Sequence, residues 1–257
     1  MLRRECSVWS NGDEFAFGGT SASLRASSNT HRLRPSIVAL PSSIGTHVTV
    51  WQVPHPESYP CSGPVDALTK HDWAEIGALR NSGKRRRALG MRIFLREALS
   101  AAVDGVAPCE WRFGRTVYGK PHICNSSHHV DFNISHIHDA SFLAISRTAR
   151  VGIDAAAQVT DGWQAIAAEF FTREERAMLN GSPADHREQE FLRLWTAKEA
   201  FAKLIGVGLA LDAPANDCAT GTLLATCTGN TPQGRVVISI AVDPVVDSSA
   251  HSVGRPS

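Results

Sequence analysis

The segment FLRLWTAKEAFAKLIGVGLAL at residues 191–211 predicts a long helix that is buried on two sides. At about 100° per residue its apolar positions form one face, and Glu199 and Lys203 stack on the opposite side. An exposed i,i+4 ion pair is the ordinary explanation for these two residues. Because Trp195 and Leu192 flank them, we instead expect them to line a cleft and to handle a cation or a proton there. The apolar face consists of Leu194, Ala197, Phe201, Leu204 and Ile205.

A second carboxylate occurs earlier in the chain, where VGID at residues 151–154 predicts a short buried strand that ends in Asp154. Burying a carboxylate is unfavourable unless it meets a partner or a metal ion, although a turn-capping aspartate is the simpler explanation for this motif alone. Asp154 and Glu199 together offer two hard oxygen donors. Such donors suit Mg²⁺ completed by water and substrate phosphates.

Composition excludes several classes of partner and location. Lys and Arg total 26 against 25 Asp and Glu, so the net charge predicts neither a nucleic-acid nor a membrane partner. The six cysteines are scattered without a CxxC pair, which is typical of a reducing compartment. The chain has no apolar run of about eighteen residues and no secretory signal at its start. We therefore expect a soluble, cytoplasmic protein with only local basic patches, such as Lys84 to Arg87.

The order of predicted elements divides the chain into four parts. Residues 1–45 are rich in Ser, Gly, Arg and Asn without periodicity and predict a disordered extension. Residues 46–147 predict an N-terminal α+β lobe, residues 148–245 a C-terminal α+β lobe with the candidate metal site, and residues 246–257 a flexible tail. Each lobe has the order strand, helix, helix, strands. This repetition predicts an α+β fold made of a pseudo-twofold pair of similar lobes.

The individual elements follow from periodicity. Period-2 alternation predicts strands, and 3.6-residue spacing predicts helices. In the basic helix the residues Arg85, Arg92 and Arg96 are expected at the periphery. Predicted strands cover residues 46–53, 132–134, 141–145, 151–153 and 235–242, and predicted helices fall within residues 71–82, 84–103, 163–179 and 191–205.

The motif FNISH at residues 132–136 ends a predicted strand, where Asn133, Ser135 and His136 can face an anion. The simpler explanation is a loop whose Asn and Ser side chains bond to its own backbone. A nearby group of histidines is a candidate zinc site, because neutral imidazole is a common zinc ligand. Neither HExxH nor a cysteine pair accompanies it, so a histidine-dependent metallohydrolase is a minor alternative. The motifs of P-loop, Rossmann and α/β-hydrolase enzymes are missing as well. The group consists of His122, His128, His129, His136 and His138.

Taken together, the motifs resemble the 4′-phosphopantetheinyl transferase superfamily, in its larger, monomeric, surfactin-type class. The matching pieces occur in family order over about residues 46–242. They are Arg87 in the basic helix, GKP at 119–121, FNISH at 132–136, VGID at 151–154, FFTREE at 170–175 and LWTAKEAFAKLIGVGL at 194–209.

The resemblance implies a cleft between the lobes that binds coenzyme A and Mg²⁺. Asp154 and Glu199 match the magnesium ligands, and Lys203 matches the lysine beside the leaving phosphate. We take these three as the candidate catalytic residues. The positions implied to bind coenzyme A are Arg87, Lys120, Ser135 and His136 at the phosphates, and Arg115, Tyr118 and Gly119 at the adenosine.

The implied reaction transfers 4′-phosphopantetheine from coenzyme A to a serine of an apo acyl or peptidyl carrier protein. Glu199 is the candidate base for the serine proton, and adenosine 3′,5′-bisphosphate is released. Ala156 stands where many relatives have a second acid, which leaves a catalytically weak carrier-binding relative as the alternative. The carrier is expected to dock on the segment from Val159 to about Arg187, where Phe170 and Phe171 are either anchors or core residues.

Overall fold

The computed structural model describes residues 16–17, 20–21, 35–55, 65–125, 129–206 and 221–244. None of the helices in these ranges is long and apolar enough to span a lipid bilayer. The elements in chain order are β1 (Ala16–Phe17), β2 (Thr20–Ser21), β3 (Ser36–Ile37), α1 (Ser42–Gly45), β4 (Thr49–Pro54), α2 (Lys70–Gly77), α3 (Ser82–Ala102), β5 (Phe113–Arg115), β6 (Pro121–Ile123), β7 (Asp131–His136), β8 (Ala140–Ser146), β9 (Ala149–Ala156), α4 (Trp163–Phe170), α5 (Arg173–Gly181), α6 (Arg187–Ile205), β10 (Leu223–Thr231) and β11 (Gly234–Pro244).

Two antiparallel sheets with the same internal connectivity form the centre of the fold. The first has the strand order β3-β4-β8-β7 and the second the order β10-β11-β9. In the first half, β4 pairs with β8, and β8 pairs with β7. In the second half, β9 pairs with β11, and β11 pairs with β10. The first strand of each trio thus pairs with the last, and the last pairs with the middle one. This shared order confirms the predicted α+β fold of two similar lobes. The lobe boundary predicted at residue 148 falls between β8 and β9.

The two sheets face each other across a common apolar core, and each is covered on its outer side by a helix. Alternation along β8 shows this arrangement, because Phe142 and Ala144 point into the core between the sheets while Leu143 and Ile145 point towards α3. In the second sheet, Ile240 points into the shared core. Phe201 and Leu204 of α6 cover its outer face. The result is a helix–sheet–sheet–helix stack.

The N-terminal lobe begins earlier than the sequence predicts. Residues 35–45, assigned to the disordered extension, include β3, which pairs with β4, and the short helix α1. Val38 and Ile44 are buried in the core between the sheets. The boundary at residue 45 therefore lies too late, because the apolar residues of this stretch, which include Val38 and Ile44, show no regular periodicity in the sequence. Residues 246–257 and most of residues 1–34 lie outside the described ranges.

The helix α3 is anchored through an arginine that was expected at its periphery. Arg96 is 1% exposed and bonds to the carbonyl oxygens of Pro108 and Trp111. Its Nη2 atom also lies 2.6 Å from a carboxylate oxygen of Asp72, which in turn caps α2 through Thr69. The expectation for Arg96 was wrong because a buried aspartate from the preceding helix makes burial of its charge possible.

A seam of side-chain hydrogen bonds joins the two sheets along β7 and β9. Alternate residues of β7, namely Asp131, Asn133 and Ser135, accept hydrogen bonds from backbone N–H groups of β9. These donors belong to Val151, Ile153 and Ala155. The alternating polar residues of DFNIS are thus explained by their position beside a strand edge, whose N–H groups would otherwise be buried without partners.

The glycine of VGID allows α6 to lie directly on β9. A Cβ atom placed on Gly152 would overlap with the carbonyl oxygen of Ala200 and the amide nitrogen of Leu204, and would stand 2.9 Å from the Cα atom of Leu204. The helix backbone therefore occupies the space that any side chain at residue 152 would need. This close approach sets the height of α6 above the strand that carries Asp154.

Candidate active site

Three side chains from three elements meet at the centre of the candidate site. Ser135 is the penultimate residue of β7, Asp154 lies in β9 and Lys203 is near the end of α6. The ammonium nitrogen of Lys203 is 2.6 Å from Oδ1 of Asp154, and the Ser135 hydroxyl donates to the same oxygen at 2.9 Å. Lys203 Nζ is also 3.4 Å from Ser135 Oγ. Asp154 is 8% exposed, and these two donors compensate the burial of its carboxylate.

Glu199 faces this group from one turn earlier on α6. Burial raises the pKa of Glu199, the negative charge of Asp154 raises it further, and the ammonium of Lys203 lowers it. No described residue hydrogen-bonds to the Glu199 carboxylate, and Lys203 pairs with Asp154 instead of with Glu199. The site thus contains a carboxylate whose neighbouring carboxylate favours its protonated form, which is the environment of a proton acceptor or of a cation ligand.

The chemistry of this donor set fits a divalent cation. The negative charge of Asp154 raises the pKa of Glu199, and a cation between the two carboxylates would offset this charge. Mg²⁺ is held in proteins by one or two carboxylates together with phosphate oxygens and water. Oδ2 of Asp154 accepts no hydrogen bond from the part of the chain that the structure describes, so it remains available as a ligand atom. Groups of three or more His, Cys, Asp or Glu side chains are not found among the described residues.

A cationic region adjoins the carboxylates at the end of β7. Burial lowers the pKa of His136 to about 4, and the nearby positive charges of Arg87 and Lys203, together with His55, contribute to this shift. Arg87 lies on α3 and its Nη2 atom is 3.5 Å from the carbonyl oxygen of His138. Its buried Nε atom has no partner among the described residues. This guanidinium is therefore suited to an anionic ligand.

The other predicted coenzyme-binding residues lie in the β5–β6 hairpin and make contacts of their own. The ammonium of Lys120 bonds to the Asp131 carboxylate at 3.4 Å and to the carbonyl oxygens of Val151 and Leu204 at 3.2 Å each, and burial lowers the pKa of Lys120. These contacts join the first lobe to β9 and α6. The structure does not place Lys120 against Asp154 or Glu199.

The hairpin turn itself is formed as predicted. Gly119 has φ of +85° and donates its N–H to the carbonyl oxygen of Thr116 at 2.9 Å, so the GKP motif forms the expected turn. Arg115 Nη1 donates to the carbonyl oxygen of Gly119 at 3.2 Å, and the Tyr118 ring is exposed. Both side chains project from the hairpin and make no described contact with the carboxylates. Their assignment to the adenosine remains a prediction.

The histidine-rich stretch does not form a cluster in its described part. His122 Nε2 lies 3.6 Å from the Cys124 sulfur, whereas Nδ1 of His136 bonds to Ser141. These two rings therefore have different partners on different strands. His128 lies outside the described residues.

The aromatic residues of the predicted docking segment pack mostly against one another. Phe171 is 3% exposed and stacks on Phe191, which in turn stacks on Trp195. Phe170 is half-buried and meets the Trp195 ring edge-on. Phe171 is therefore a core residue, as the simpler explanation of the motif has it. Phe170 and Trp195 keep a partly exposed surface beside the start of α5.

Ala156 lies two residues after Asp154 on β9 and pairs with Val237. Its methyl group packs against the aromatic cluster that contains Phe191 and Phe171. The strand thus provides Asp154 as its acidic side chain near Glu199 and an apolar contact at Ala156. The sequence already indicates that Ala156 stands where many relatives have a second acid, and the structure gives Ala156 a packing role.

Two residues near the site were not identified from the sequence. His55 follows β4, and its Nε2 atom is 2.6 Å from the hydroxyl oxygen of Ser141, which also contacts His136. His55 is 86 residues from Ser141 in the chain, and neither residue belongs to a recognisable motif. The only signal in the sequence was that Ser141 begins the predicted strand that follows FNISH.

Comparisons with known proteins agree with this geometry. Residues 150–233, which include α6 and all but the first residue of β9, match the family model of the 4′-phosphopantetheinyl transferase superfamily. A similar curated protein is the 4′-phosphopantetheinyl transferase HetI of Nostoc sp., which is 28% identical over 172 residues that cover 65% of this chain and 72% of that protein. These similarities to the 4′-phosphopantetheinyl transferase superfamily confirm the resemblance carried by the motifs.

Two further relatives are matched over about half of their length. The 4′-phosphopantetheinyl transferase of Bacillus subtilis is 34% identical over 112 residues, which are 44% of this chain and 49% of that protein. The L-aminoadipate-semialdehyde dehydrogenase-phosphopantetheinyl transferase of Pongo abelii is 28% identical over 162 residues, which are 58% of this chain and 51% of that protein. All three relatives are named as transferases, so a catalytically weak carrier-binding protein is not favoured.

Proposed function

We propose that the protein transfers 4′-phosphopantetheine from coenzyme A to a serine of an apo acyl or peptidyl carrier protein and releases adenosine 3′,5′-bisphosphate. The observation that carries this proposal is the contact of Lys203 with Asp154, beside a Glu199 carboxylate whose pKa is raised. A basic carboxylate, a cation ligand and an ammonium are the three groups that attack on a diphosphate requires.

In the proposed reaction the serine oxygen bonds to the phosphorus that carries pantetheine. The bond from that phosphorus to the oxygen of the adenosine phosphate breaks, and the serine proton passes to Glu199. Burial and the charge of Asp154 raise the pKa of Glu199 in the metal-free protein, which makes this carboxylate a suitable acceptor for the serine proton. Lys203 stabilises the departing phosphate by charge, for which its ammonium must shift from Asp154 or reach both groups.

Mg²⁺, when bound by Asp154 and Glu199, would position the diphosphate and neutralise part of its charge. The remaining phosphate contacts are assigned to the Arg87 guanidinium and to His136, which lies near it at the end of β7. Ser135 supports the site by donating a hydrogen bond from its hydroxyl group to Asp154. Arg115, Tyr118 and Gly119 are proposed to line the adenosine, and Lys120 is proposed to hold the hairpin that carries them.

The carrier protein is proposed to dock beside α5, where Phe170 is partly exposed and Arg173 is exposed. Carrier helices that are acidic would complement this arginine. Because both halves of a single chain contribute to the site, we also propose that the protein acts as a monomer. A cytoplasmic location would give it access to coenzyme A and to the carrier.

The test is incubation of the protein with coenzyme A, Mg²⁺ and an apo carrier protein, followed by the intact mass of the carrier. We expect a gain of one phosphopantetheine group that depends on Mg²⁺. Asp154→Ala and Glu199→Ala are expected to abolish this gain without loss of the fold. Glu188→Ala is the matched control, since Glu188 is exposed in the first turn of the same helix.

An unmodified carrier at high enzyme concentration, tried with both acyl and peptidyl carriers, would overturn the proposal. Full activity of Asp154→Ala or Glu199→Ala would show instead that the reaction is correct and that the metal site is misassigned. Circular dichroism and thermal unfolding of each variant separate a loss of chemistry from a loss of fold.

A further inference from the structure

A serine hydroxyl lies between two histidine rings at the edge of the candidate site. Ser141 is fully buried in β8, and its Oγ atom is 2.6 Å from Nδ1 of His136 and 2.6 Å from Nε2 of His55. His136 stands directly opposite Ser141 in the pairing of β7 with β8. His55 follows β4, which pairs with β8 on its other side. Three neighbouring strands therefore build one hydrogen-bonded chain.

A backbone carbonyl fixes the direction of this chain. Nδ1 of His55 is 3.1 Å from the carbonyl oxygen of His138, and a carbonyl oxygen can only accept, so Nδ1 of His55 carries a hydrogen. A neutral His55 then accepts at Nε2, and the Ser141 hydroxyl donates to it. The Ser141 oxygen accepts from Nδ1–H of His136, which leaves a lone pair and no hydrogen on Nε2 of His136.

We propose that Ser141 and His55 are positioning residues that fix neutral His136 as its Nδ1–H tautomer, so that His136 can donate a hydrogen bond to a phosphate only after taking up one proton. The inference rests on the proposed function for the identity of the ligand, a phosphate of coenzyme A. Phosphate oxygens only accept hydrogen bonds at neutral pH, whereas the free Nε2 atom of the neutral ring only accepts as well. Two acceptors cannot bond to each other without an added proton.

The added proton can reside at either end of the chain. When it is on His136, both ring nitrogens donate and the Ser141 hydroxyl still donates to His55. When it is on His55, the Ser141 oxygen accepts from Nε2–H of His55, its hydroxyl donates to Nδ1 of His136, and Nε2 of His136 carries the hydrogen. Both arrangements contain one additional proton and present an Nε2–H donor. Capture of the phosphate is therefore coupled to the uptake of one proton.

The charged groups around the chain explain why this proton is absent from the free protein. Burial lowers the pKa of His136 to about 4, with further contributions from His55 after β4, Arg87 from α3 and Lys203 from α6. Around His55, burial lowers the pKa, Arg87 and His138 lower it further, and Asp139 and the bond to the His138 carbonyl raise it. A bound phosphate reverses this balance because it places negative charge beside His136.

The first experiment needs no ligand and no activity. In protein labelled with ¹⁵N-histidine, long-range ¹H–¹⁵N correlations near neutral pH report which nitrogen of each ring carries the hydrogen, and His→Gln variants assign the signals. We expect the Nδ1–H tautomer for both His136 and His55, although a free neutral imidazole prefers Nε2–H. In Ser141→Ala we expect His136 to change to Nε2–H. An Nε2–H form of His136 in the unsubstituted protein would overturn the proposal whatever the protein's activity.

The second experiment counts protons. Calorimetric titration with coenzyme A in buffers of different ionisation enthalpy gives the number of protons taken up on binding. We expect the unsubstituted protein to take up about one proton more than Ser141→Ala, in which the neutral ring can already donate at Nε2. His71→Gln is the control and should match the unsubstituted protein, since His71 is exposed on α2. Equal uptake by the unsubstituted protein and Ser141→Ala would overturn the proposal, whereas absence of coenzyme A binding would overturn the proposed function alone.

Discussion

The ammonium of Lys203 lies 2.6 Å from Oδ1 of Asp154 and bridges α6 to β9. The expected partner on a helix surface is Glu199, one turn earlier, but Lys203 turns towards the strand because the buried Asp154 carboxylate has the greater need for a counter-charge. Glu199 is left without a hydrogen-bond partner among the described residues. The negative charge of Asp154 thus attracts Lys203 and raises the pKa of Glu199.

Replacing Glu199 by Gln should remove transfer while the fold remains intact. Loss of a general base lowers turnover by about 10²- to 10⁴-fold, and loss of a metal ligand adds to this effect. The measurement is the rate of carrier modification by intact mass, at saturating coenzyme A. Turnover within a few-fold of the unsubstituted protein would exclude Glu199 as the base.

The same substitution should change stability in a pH-dependent way. The pKa of Glu199 is raised above its ordinary value of 4.5, so the folded state binds this proton more tightly than the unfolded state does. Stability from this group is fully present below pH 4.5 and is lost as pH rises through the folded pKa. With a chelator present, Glu199→Gln should therefore melt at a higher temperature than the unsubstituted protein near neutral pH, and the difference should disappear below pH 4.5. If Glu199→Gln raised the melting temperature equally at every pH, the cause would be better packing and not the loss of a charge.

Gly152→Ala should destabilise the protein and impair transfer together. The added methyl group would meet the backbone of α6 at Ala200 and Leu204, so the helix must move away from β9 and carry Glu199 and Lys203 with it. We expect a loss of about 1–3 kcal/mol in the free energy of unfolding, as for other overpacked sites. Chemical denaturation measures this loss.

Gly77→Ala is the matched control for Gly152→Ala. Gly77 lies in α2, and a Cβ atom there meets nothing within 4 Å. Alanine is the better helix former, so this variant should be as stable as the unsubstituted protein or more stable by about 0.5–1 kcal/mol. If Gly152→Ala behaved like Gly77→Ala, α6 would not need its close approach to β9.

Much of the fold and part of the site could be predicted from the sequence because they depend on local patterns. Alternation in DFNISH and VGID predicted β7 and β9, and the apolar face around Phe201 predicted α6. Alternation does not show which strand lies beside β7. Asn133 and Ser135 were expected to face an anion or to bond to the backbone of their own loop, but they accept from the N–H groups of β9 along the edge of the other sheet.

Burial of charge was equally hard to predict. Arg96 was expected at the surface because nothing in its own helix indicates the Asp72 carboxylate that it meets. The chain of His55, Ser141 and His136 depends on the order β4-β8-β7, which brings together residues that are 86 positions apart. Such contacts follow from sheet topology and register, and a single sequence specifies neither by local spacing.

Arg87→Gln should weaken coenzyme A binding with little effect on turnover. The Arg87 guanidinium has a buried Nε atom without a partner in the described part of the chain, and a 3.5 Å contact with a carbonyl oxygen occupies only Nη2. A charge-assisted bond to phosphate contributes about 1.5–3 kcal/mol, so KM for coenzyme A should rise about ten- to hundredfold. Steady-state kinetics at saturating carrier would measure KM and kcat separately.

The control for Arg87 is its exposed neighbour Arg86. Arg86→Gln removes the same charge from the same helix and should change KM by less than a few-fold, because exposed charges are screened by water and salt. Equal effects of the two variants would indicate a general attraction of α3 for anions in place of a specific contact at Arg87.

Lys120→Gln should lower stability more than it lowers coenzyme A affinity. The Lys120 ammonium bonds to Asp131 and to the carbonyl oxygens of Val151 and Leu204, so its loss leaves three partly buried acceptors without their donor. The expected cost is about 1–3 kcal/mol in the free energy of unfolding. Lys70→Gln, which changes an exposed lysine of α2, should have little effect. If Lys120→Gln instead raised KM for coenzyme A as much as Arg87→Gln and left the thermal midpoint unchanged, Lys120 would leave its protein partners to bind phosphate, as the family resemblance implies.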